Sequence, residues 1–484
     1  MIQCPNCGGN LKFSPSAQCM SCEHCNSQFD PYQFDSKTKD AEERELYDVT
    51  VFTCPQCGGE ILSTDHAAAG FCSYCGASTI LYSRISKEKR PRYVVPFRRT
   101  KEDCKKAYKN LMRQAIFAPK ELKDESCIDS FRGIYMPYWS YEVVQEGSLH
   151  LLGETESRRG DYIITKHFSL TGEVDSWYDG IYYDASSTFE DRISEHLAPF
   201  NIGERKDFCP AFLSGFYADI PDVSEKVYEN DAKAKVWEEN LQRIRQTPQF
   251  AACSMKTSGA GAVIPEVKVH MVEETMFPVW FMSYRKKDRV IYTTINGQTG
   301  KIVADLPIDP MKYIIGSLFL AVPIFFILNW IFVLTPSVLT VGIAVLGLLT
   351  LLIYGMEANQ IAKRNSLEED RGLNWVNNQK ARKRIEQSRN KTNERKNNIQ
   401  EKKPILHTSF EKPKVIGYFG AVIAIIISVL LLVFHPVSDL YYYGGAILSL
   451  FAICFTIVSI IQSYNLLSTH KLPQFEKQGG DDRA

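Results

Sequence analysis

The sequence lacks the short motifs that identify several common enzyme classes. It contains no G-x-S-x-G, H-E-x-x-H or G-x-G-x-x-G pattern. The stretch 297–302, "GQTGKI", has two residues between its glycines and ends in Ile, whereas a Walker A phosphate loop needs four residues there and Ser or Thr after the Lys. These absences exclude the familiar hydrolase, zinc-protease and nucleotide-binding sites, so we predict that the protein is not an enzyme.

Basic residues are scarce near the amino terminus, and a secretory signal pattern is missing there. Lys12 is the only Lys or Arg between Cys4 and Cys25, and none lies between Cys54 and Cys75. A phosphate-binding surface needs clustered Lys and Arg, so nucleic acid is not the ligand we expect. Without a signal pattern, the fourteen cysteines do not indicate a secreted disulfide framework, and we expect a cytoplasmic amino terminus.

Eight of the cysteines form two copies of one pattern. In each copy, two C-x-x-C pairs are separated by fourteen residues, and Gly-Gly follows the first pair, at 8–9 and 58–59. A zinc ion binds four thiolates tetrahedrally, and paired C-x-x-C turns supply them, while glycine permits the positive φ of the turn. We predict two zinc ribbons, 1–34 and 51–85, joined by an acidic linker, 35–50, with one zinc ion each. The predicted ligands are Cys4, Cys7, Cys22, Cys25, Cys54, Cys57, Cys72 and Cys75.

Alternatives to this ligand set exist. Cys19 and His24 are also candidate ligands in the first ribbon, but aligning the two copies matches Cys22 and Cys25 with the last pair of the second ribbon, which leaves Cys19 as a spare thiol. Disulfides or redox-active dithiols are a further alternative, which the duplicated spacing disfavours.

The sequence predicts a cytoplasmic α+β domain over residues 90–310. We predict helices over 100–117, with Ala107, Leu111 and Ile116 toward the apolar side, and over about 222–246. Strands are expected at 132–143 and 276–285, and a hairpin over 288–307 with Asn296-Gly297 at positive φ. The single cysteines Cys104, Cys127, Cys209 and Cys253 are expected to be small buried apolar residues.

The last third of the chain contains four apolar stretches, 313–334, 337–355, 415–434 and 440–461. Each is long enough to cross about 30 Å of hydrocarbon, which predicts two transmembrane hairpins, 311–356 and 414–462. The connection 357–413 holds fourteen Lys/Arg against eight Asp/Glu. The positive-inside rule therefore places this connection, the ribbons, the α+β domain and the tail 463–484 in the cytoplasm of a multi-pass inner (plasma) membrane protein.

Part of this connection is dense enough in positive charge to face an anionic lipid surface. The predicted lipid-facing residues are Lys380, Arg382, Lys383, Arg384, Arg389, Lys391, Arg395 and Lys396. The alternative is that these residues only determine topology. The apolar stretches contain no Asp, Glu, Lys or Arg, which disfavours an ion pathway.

The duplicated "CPNCGG" and "CPQCGG" ribbons, the "NGQTGKIV" hairpin and the terminal membrane hairpins together resemble a family of bacterial membrane-anchored tandem zinc-ribbon proteins. The resemblance implies partners of the phage-shock protein A-like and SPFH-like types and a role in envelope stress. Some such proteins carry a replication-restart helicase label, which the missing nucleotide loop does not support.

We therefore expect a multi-domain fold of two zinc ribbons, an α+β domain and four transmembrane helices. The expected function is a non-catalytic adaptor that recruits cytoplasmic or membrane-associated proteins to the membrane. Two alternatives stay open here, namely a membrane-tethered nucleic-acid-binding protein and an enzyme with its site in the α+β domain.

Overall fold

The computed structural model describes residues 2–35, 46–63, 72–77, 82–251, 254–256, 262–331, 335–365, 370–379 and 416–471. The strands are β1 (Leu11–Ser14), β2 (Cys19–Cys22), β3 (Gln28–Phe29), β4 (Leu46–Thr53), β5 (Glu60–Ser63), β6 (Tyr82–Lys89), β7 (Tyr93–Val94), β8 (Arg132–Arg159), β9 (Tyr162–Asp184), β10 (Lys206–Asp207), β11 (Tyr217–Ala218), β12 (Ser254–Lys256), β13 (Val267–Lys286), β14 (Arg289–Asn296), β15 (Ile302–Ala304) and β16 (His470–Lys471). The helices are α1 (Lys101–Gln114), α2 (Glu125–Ile128), α3 (Asp191–Leu197), α4 (Glu229–Gln246), α5 (Pro248–Ala251), α6 (Pro310–Ile331), α7 (Pro336–Asn365), α8 (371–379), α9 (Ile416–Phe434) and α10 (Asp439–Leu467).

The first cysteine-rich segment forms its own three-stranded sheet, β1-β2-β3. Its apolar face packs on the segment 206–218 of the α+β part. Phe13 donates its N–H to the Ser214 carbonyl at 3.0 Å, and the Ser214 hydroxyl donates to the Leu11 carbonyl at 2.6 Å. The rings of Phe13 and Phe212 lie 5.1 Å apart. The first ribbon is thus fixed to the body of the protein by backbone hydrogen bonds and aromatic contacts.

The second cysteine-rich segment belongs to the main sheet rather than to a separate module. A 13-stranded sheet runs in the order β10-β7-β13-β8-β11-β5-β4-β6, with further strands attached. β5 pairs with β11 (Tyr217↔Ser63), and β11 pairs in parallel with β8. The sequence-based division treats 51–85 as a separate ribbon after a linker that ends at 50. In the structure β4 begins at Leu46, and the strands around the second cysteine group continue into the α+β sheet.

β8 and β13 form the centre of this sheet. They pair antiparallel from Val267↔Gln145 to Phe281↔Arg132, so the two aromatic-rich strands of the sequence are neighbours. β8 continues past this pairing and forms a hairpin with β9 that reaches Arg159 and Tyr162. The predicted strand 132–143 is therefore less than half of the observed one.

α1 has the predicted start but a different buried face. Thr100 caps it through a reciprocal hydrogen-bonded capping box with Asp103. The buried side chains are Cys104, Tyr108 and Met112, whereas Ile116 lies beyond the end of the helix and is 70% exposed. Of the predicted face, Leu111 is partly buried against the core, whereas the placement of Ile116 was wrong, and the fully buried side chains lie along Cys104, Tyr108 and Met112 instead.

The predicted hairpin over 288–307 is present as β14 and β15, but its turn differs. Gly300 has a φ of +84°, whereas Asn296 and Gly297 do not have positive φ. The Asn296 side chain accepts hydrogen bonds from the N–H groups of Gln298 and Thr299, both at 2.9 Å. Gly297 is required for close packing instead, since a Cβ there would lie 2.6 Å from the Phe97 ring. The expectation of positive φ at Asn296-Gly297 was wrong.

Among the described residues, three helical segments are long and apolar enough to cross a membrane, namely Pro336–Gln360, Gly417–Phe434 and Asp439–Leu467. This finding indicates membrane association. α6 is also apolar, but its apolar stretch Pro310–Ile324 is shorter than a full span. Three of the four predicted spans are therefore long and apolar enough to cross a membrane, and the span at 313–334 stays a prediction.

The ends of α6 and α10 meet at the α+β part. The Asn465 side chain exchanges two hydrogen bonds with the backbone of Ile308, at 2.6 and 2.7 Å. The Arg289 guanidinium donates to the Leu466 carbonyl at 2.8 Å. Because α6 starts two residues after Ile308, the first and last apolar helices contact the α+β part on the same side.

Candidate metal centres

Each of the two cysteine groups brings four sulfur atoms together. The ligand atoms of Cys4, Cys7, Cys22 and Cys25 all lie within 4.8 Å of one another, and so do those of Cys54, Cys57, Cys72 and Cys75. In the first group, the Sγ atoms of Cys4 and Cys25 are 3.6 Å apart and those of Cys7 and Cys22 are 3.5 Å apart. In the second group, the corresponding distances, Cys54 to Cys75 and Cys57 to Cys72, are 3.8 and 3.7 Å.

These distances fit a tetrahedral metal site and do not fit disulfides. A tetrahedron with metal–sulfur bonds of about 2.3 Å has sulfur–sulfur edges of about 3.8 Å. A disulfide needs a separation of about 2.0 Å. Both groups are therefore compatible with two metal ions, one per group.

The backbone makes the same turn around every C-x-x-C pair. The N–H of the fourth residue after the first cysteine donates to that cysteine's carbonyl, as in Gly8 to Cys4 at 2.8 Å and Gly76 to Cys72 at 3.0 Å. The fourth residue has positive φ in all four turns, and these residues are Gly8 (+73°), Asn26 (+55°), Gly58 (+73°) and Gly76 (+67°). Such turns direct two sulfur atoms to one centre. The Gly-Gly signal predicted two of the turns and missed those at Asn26 and Gly76.

The two groups differ in exposure. In the first group Cys4 and Cys22 are buried, while Cys7 and Cys25 are exposed; in the second group all four cysteines are buried. Cys19 lies in β2, opposite Ser14 of β1. Neither Cys19 nor His24 belongs to the first group. The alignment of the two copies thus selected the four cysteines that converge.

The second group is held by strands of the main sheet. The Tyr292 hydroxyl donates to the Tyr74 carbonyl at 2.7 Å, and the Ser283 hydroxyl donates to the Cys72 carbonyl at 3.5 Å. Phe52 and Ile61 pack around the cysteines from β4 and β5. Loss of this centre would therefore disturb β4, β5, β13 and β14 together.

Comparison with known proteins adds one relative. No family model and no solved structure matches the sequence. The chain is similar to the Bacillus subtilis (strain 168) protein described as "Uncharacterized protein YdjG", with 32% identity over 334 residues that cover 66% of this chain and 95% of that protein. The chain belongs to the YdjG family.

The single cysteines of this YdjG-family chain do not resemble nucleophiles. Cys104, Cys127 and Cys209 are buried, as predicted, and Cys253 lies outside the described residues. Burial raises the pKa of Cys127 and of Cys209 to about 11, and it raises the pKa of Cys104 further. A thiol becomes a good nucleophile when its pKa is lowered, so these three are inert apolar residues.

The predicted lipid-facing residues, Lys380 to Lys396, lie outside the described residues. Within the connection 357–413, α8 packs on the α+β part of this YdjG-family chain. Val376 is buried there in one cluster with Tyr228 and Val236. The Arg371 guanidinium pairs with Asp231 of α4.

Buried carboxylates surround the start of α8, a feature that the sequence analysis missed. Asp191 accepts hydrogen bonds from the Tyr228 hydroxyl at 2.7 Å and from the Arg371 N–H at 2.9 Å. One carboxyl oxygen of Asp184 is buried without a hydrogen-bond partner in the described part of the chain. Burial raises the pKa of Asp184, and burial with repulsion from Asp191 raises the pKa of Asp370 to about 7.

The docking of α8 is expected to weaken as the pH rises. When α8 is docked, the carboxyl of Asp370 holds its proton up to about pH 7, whereas its ordinary pKa is 3.8. The docked state thus binds more protons, so docking is most stable below the ordinary pKa and loses stability as the pH rises to about 7. The charged groups that face Asp370 are Asp184, Glu190 and Asp191, while Arg371 interacts with Asp191 and Asp231.

Hydrogen exchange of 371–379, corrected for intrinsic exchange rates, should be about tenfold faster one pH unit above this pKa than one unit below it. The variant Asp370→Asn should reduce the difference. Equal protection at both pH values would contradict the prediction that protonated Asp370 stabilises the docking of α8.

Proposed function

We propose that this YdjG-family protein is a non-catalytic adaptor, anchored in the membrane, that recruits cytoplasmic proteins to the bilayer. The observation that carries the proposal is the long hairpin, by which we mean the part of β8–β9 from the pair Gly153↔Phe168 outward. β12 is the last strand that pairs with β8 from the other side, at Leu152–Glu154. Farther out, β8 and β9 have only each other among the described strands.

The long hairpin exposes apolar side chains. Tyr162 is 77% exposed and Ile163 is 69% exposed, and Ile164 and Phe168 are about 40% exposed. A two-stranded hairpin without a covered face is marginally stable alone, and an exposed edge strand can pair with an extended segment of another protein. These properties favour a protein-docking role for the long hairpin. The resemblance noted above suggests phage-shock protein A-like or SPFH-like partners.

The two metal centres suit a structural role in this adaptor. We propose that both ions are zinc, since four thiolates in a tetrahedral arrangement are the usual ligands of structural zinc. The two ribbons contact neighbouring parts of the segment 206–218, one through Ser214 and the other through Tyr217. The ions would thus hold this segment against the main sheet.

The membrane arrangement we propose has four spans with both termini in the cytoplasm. α6 has 22 residues, which correspond to about 33 Å of helix, close to the thickness of the hydrocarbon core. The contact of Asn465 with Ile308 supports an even number of spans, because it joins the first and last helices at one side. Reduced thiols at the two metal centres favour the cytoplasm for that side.

The adaptor role predicts that partners contact the long hairpin. A photo-crosslinking amino acid in place of Ile164, in the full-length protein in native membranes, should form adducts with cytoplasmic proteins. The variant Ile163→Ser, Ile164→Ser, Phe168→Ser should lower co-isolation of those proteins by at least about tenfold, because exposed apolar anchors dominate binding energy. Mass spectrometry identifies the adducts and quantifies the co-isolated proteins.

The control is Met271→Ser, which changes a 45% exposed apolar residue of β13 outside the long hairpin and should leave co-isolation unchanged. Adducts only with lipid or with a second copy of the chain, or equal losses in both variants, would contradict the adaptor role.

A further inference from the structure

A loop of the α+β part contacts the first turns of α6. The loop, residues 115–119, follows α1. The Phe117 carbonyl accepts the Asp309 N–H at 2.8 Å, and Lys312 donates its Nζ to the Ala118 carbonyl at 2.6 Å. The Phe117 ring lies 5.3 Å from the Tyr313 ring. A Cβ on Gly316 would lie 2.8 Å from the edge of the Phe117 ring, so the loop is seated on α6 up to the level of Gly316.

This contact places the loop at the depth where the bilayer should begin. Gly316 is six residues into α6, which corresponds to about 9 Å along the helix axis. From Tyr313 onward the helix has no charged residue, and most of its exposed side chains are apolar, for example Ile315 at 62% and Phe319 at 83%. If α6 lies in the membrane, Phe117 and its neighbour Ile116 lie at the boundary between headgroups and acyl chains.

Ile116 itself is 70% exposed at this position. An exposed isoleucine on a loop at the bilayer boundary gains free energy by entering the acyl-chain region. A water-soluble partner has little room there, because the neighbouring surface of α6 would be covered by lipid.

Positive charge surrounds Ile116. Residues 101–123 contain seven Lys/Arg and three Asp/Glu. Arg113, Lys120 and Lys123 are exposed and have no carboxylate partner in the described part of the chain, whereas Lys109 pairs with Glu125 at 2.6 Å. A basic cleft of about 440 Å³ lies between α1 and α2 and is lined by Lys109, Met112, Arg113, Ile116, Lys123, Glu125 and Ile128. Its one carboxylate, Glu125, is the ion-pair partner of Lys109, so Arg113 and Lys123 leave the cleft with a net positive charge.

We propose that this basic cleft binds the phosphate headgroup of an anionic phospholipid while Ile116 inserts among the acyl chains of the same leaflet. The inference rests on the membrane anchoring through α6 proposed above. Arg113 and Lys123 line the cleft and supply its charge, and Lys120 adds charge from the same short helical turn as Lys123. The loop on α6 fixes the cleft at headgroup depth. Each basic residue near an anionic surface contributes enough binding free energy to favour an anionic over a zwitterionic lipid roughly fivefold. The loop thus ties the orientation of the α+β part to the lipid surface.

The test uses the full-length chain in nanodiscs made of equal parts phosphatidylglycerol and phosphatidylcholine. A photo-crosslinking amino acid replaces Ile116, or Ile327 in the middle of α6, or Tyr32 on the first ribbon; these residues are 70%, 56% and 40% exposed. Mass spectrometry identifies the adducts. We expect lipid adducts at positions 116 and 327 and none at 32. We also expect the ratio of phosphatidylglycerol adducts to phosphatidylcholine adducts to be at least about fivefold higher at position 116 than at position 327.

The charge variant Arg113→Gln, Lys120→Gln, Lys123→Gln should lower this adduct ratio at position 116 until it equals the ratio at position 327. A matched variant, Lys166→Gln, Lys235→Gln, Lys268→Gln, removes three exposed lysines of other elements and should leave the ratio unchanged. Adducts at 327 but not at 116 would overturn this inference and leave the anchoring intact. Absence of adducts at 327 would overturn the anchoring itself. Protein adducts at 116, or no phosphatidylglycerol preference there, would overturn the lipid-headgroup site.

Discussion

Replacing Cys57 and Cys72 with serine is expected to lower the metal content from the proposed two zinc ions to one and to destabilise the whole α+β part. All four cysteines of that centre are buried, and they lie among residues of β4 and β5. Structural zinc contributes on the order of 10 kcal/mol or more to small sites, which is comparable to the total stability of a domain. The measurement is metal analysis of the purified chain together with thermal unfolding, in which we expect the midpoint to fall by roughly 10 °C or more.

The matched control is Cys7→Ser with Cys25→Ser, the two exposed members of the first centre. This variant should also lose one ion, but its unfolding midpoint should fall less. The first ribbon has its own three-stranded sheet, and it contacts the body through Phe13 and Ser214 rather than through shared strands. Equal decreases of the unfolding midpoint in the two variants would contradict the prediction that the second centre stabilises the protein more than the first. Unchanged zinc content in both variants would contradict the metal assignment.

The metal centres could be predicted from the sequence because their information is local. A tetrahedral site needs two C-x-x-C turns, and the fourteen-residue spacing occurs twice. The comparison of the two copies also resolved the choice between Cys19 and Cys25. The turn at Asn26 was missed because Asn at positive φ is less distinctive than glycine.

The arrangement of the strands could not be predicted in the same way. The pairing of β5 with β11 joins Ser63 to Tyr217, residues that are far apart in the sequence, and no local pattern specifies such a partner. For this reason the second ribbon was expected to be an independent module. The face of α1 was missed for a related reason, since Tyr108 donates to the Leu122 carbonyl at 2.9 Å and its buried position depends on that tertiary contact.

The long hairpin and the buried carboxylates are also consequences of tertiary structure. Residues 144–184 include many polar residues, which gave no clear strand signal, yet β8 and β9 pair continuously from Tyr138↔Asp184 to Arg159↔Tyr162 apart from one bulge. Asp184, Asp191 and Asp370 are separated in sequence and meet only because α8 packs back on the α+β part. The long hairpin is exposed to partner proteins, and the carboxylates respond to a change in pH through their protonation.

Replacing Gly420 with leucine is expected to disrupt the packing of the apolar helices. A Cβ at Gly420 of α9 would overlap the carbonyl oxygen of Ala452 and lie 2.5 Å from the Thr456 hydroxyl, both on α10. A backbone carbonyl in a helix cannot rotate away, so the two helices must separate. Small residues permit such close approach in membranes, and overpacking costs about 1–3 kcal/mol or more.

The control for this prediction is Gly444→Leu on α10, where a Cβ meets no atom within 4 Å. Both variants add the same side chain to an apolar helix, so a difference between them reports packing rather than hydrophobicity or helix propensity. We expect Gly420→Leu to lower the thermal midpoint of the detergent-solubilised protein and its monodisperse fraction, and Gly444→Leu to change neither. If both variants behave like the parent protein, α9 and α10 do not pack through Gly420 and Ala452, and the helix bundle must be arranged differently.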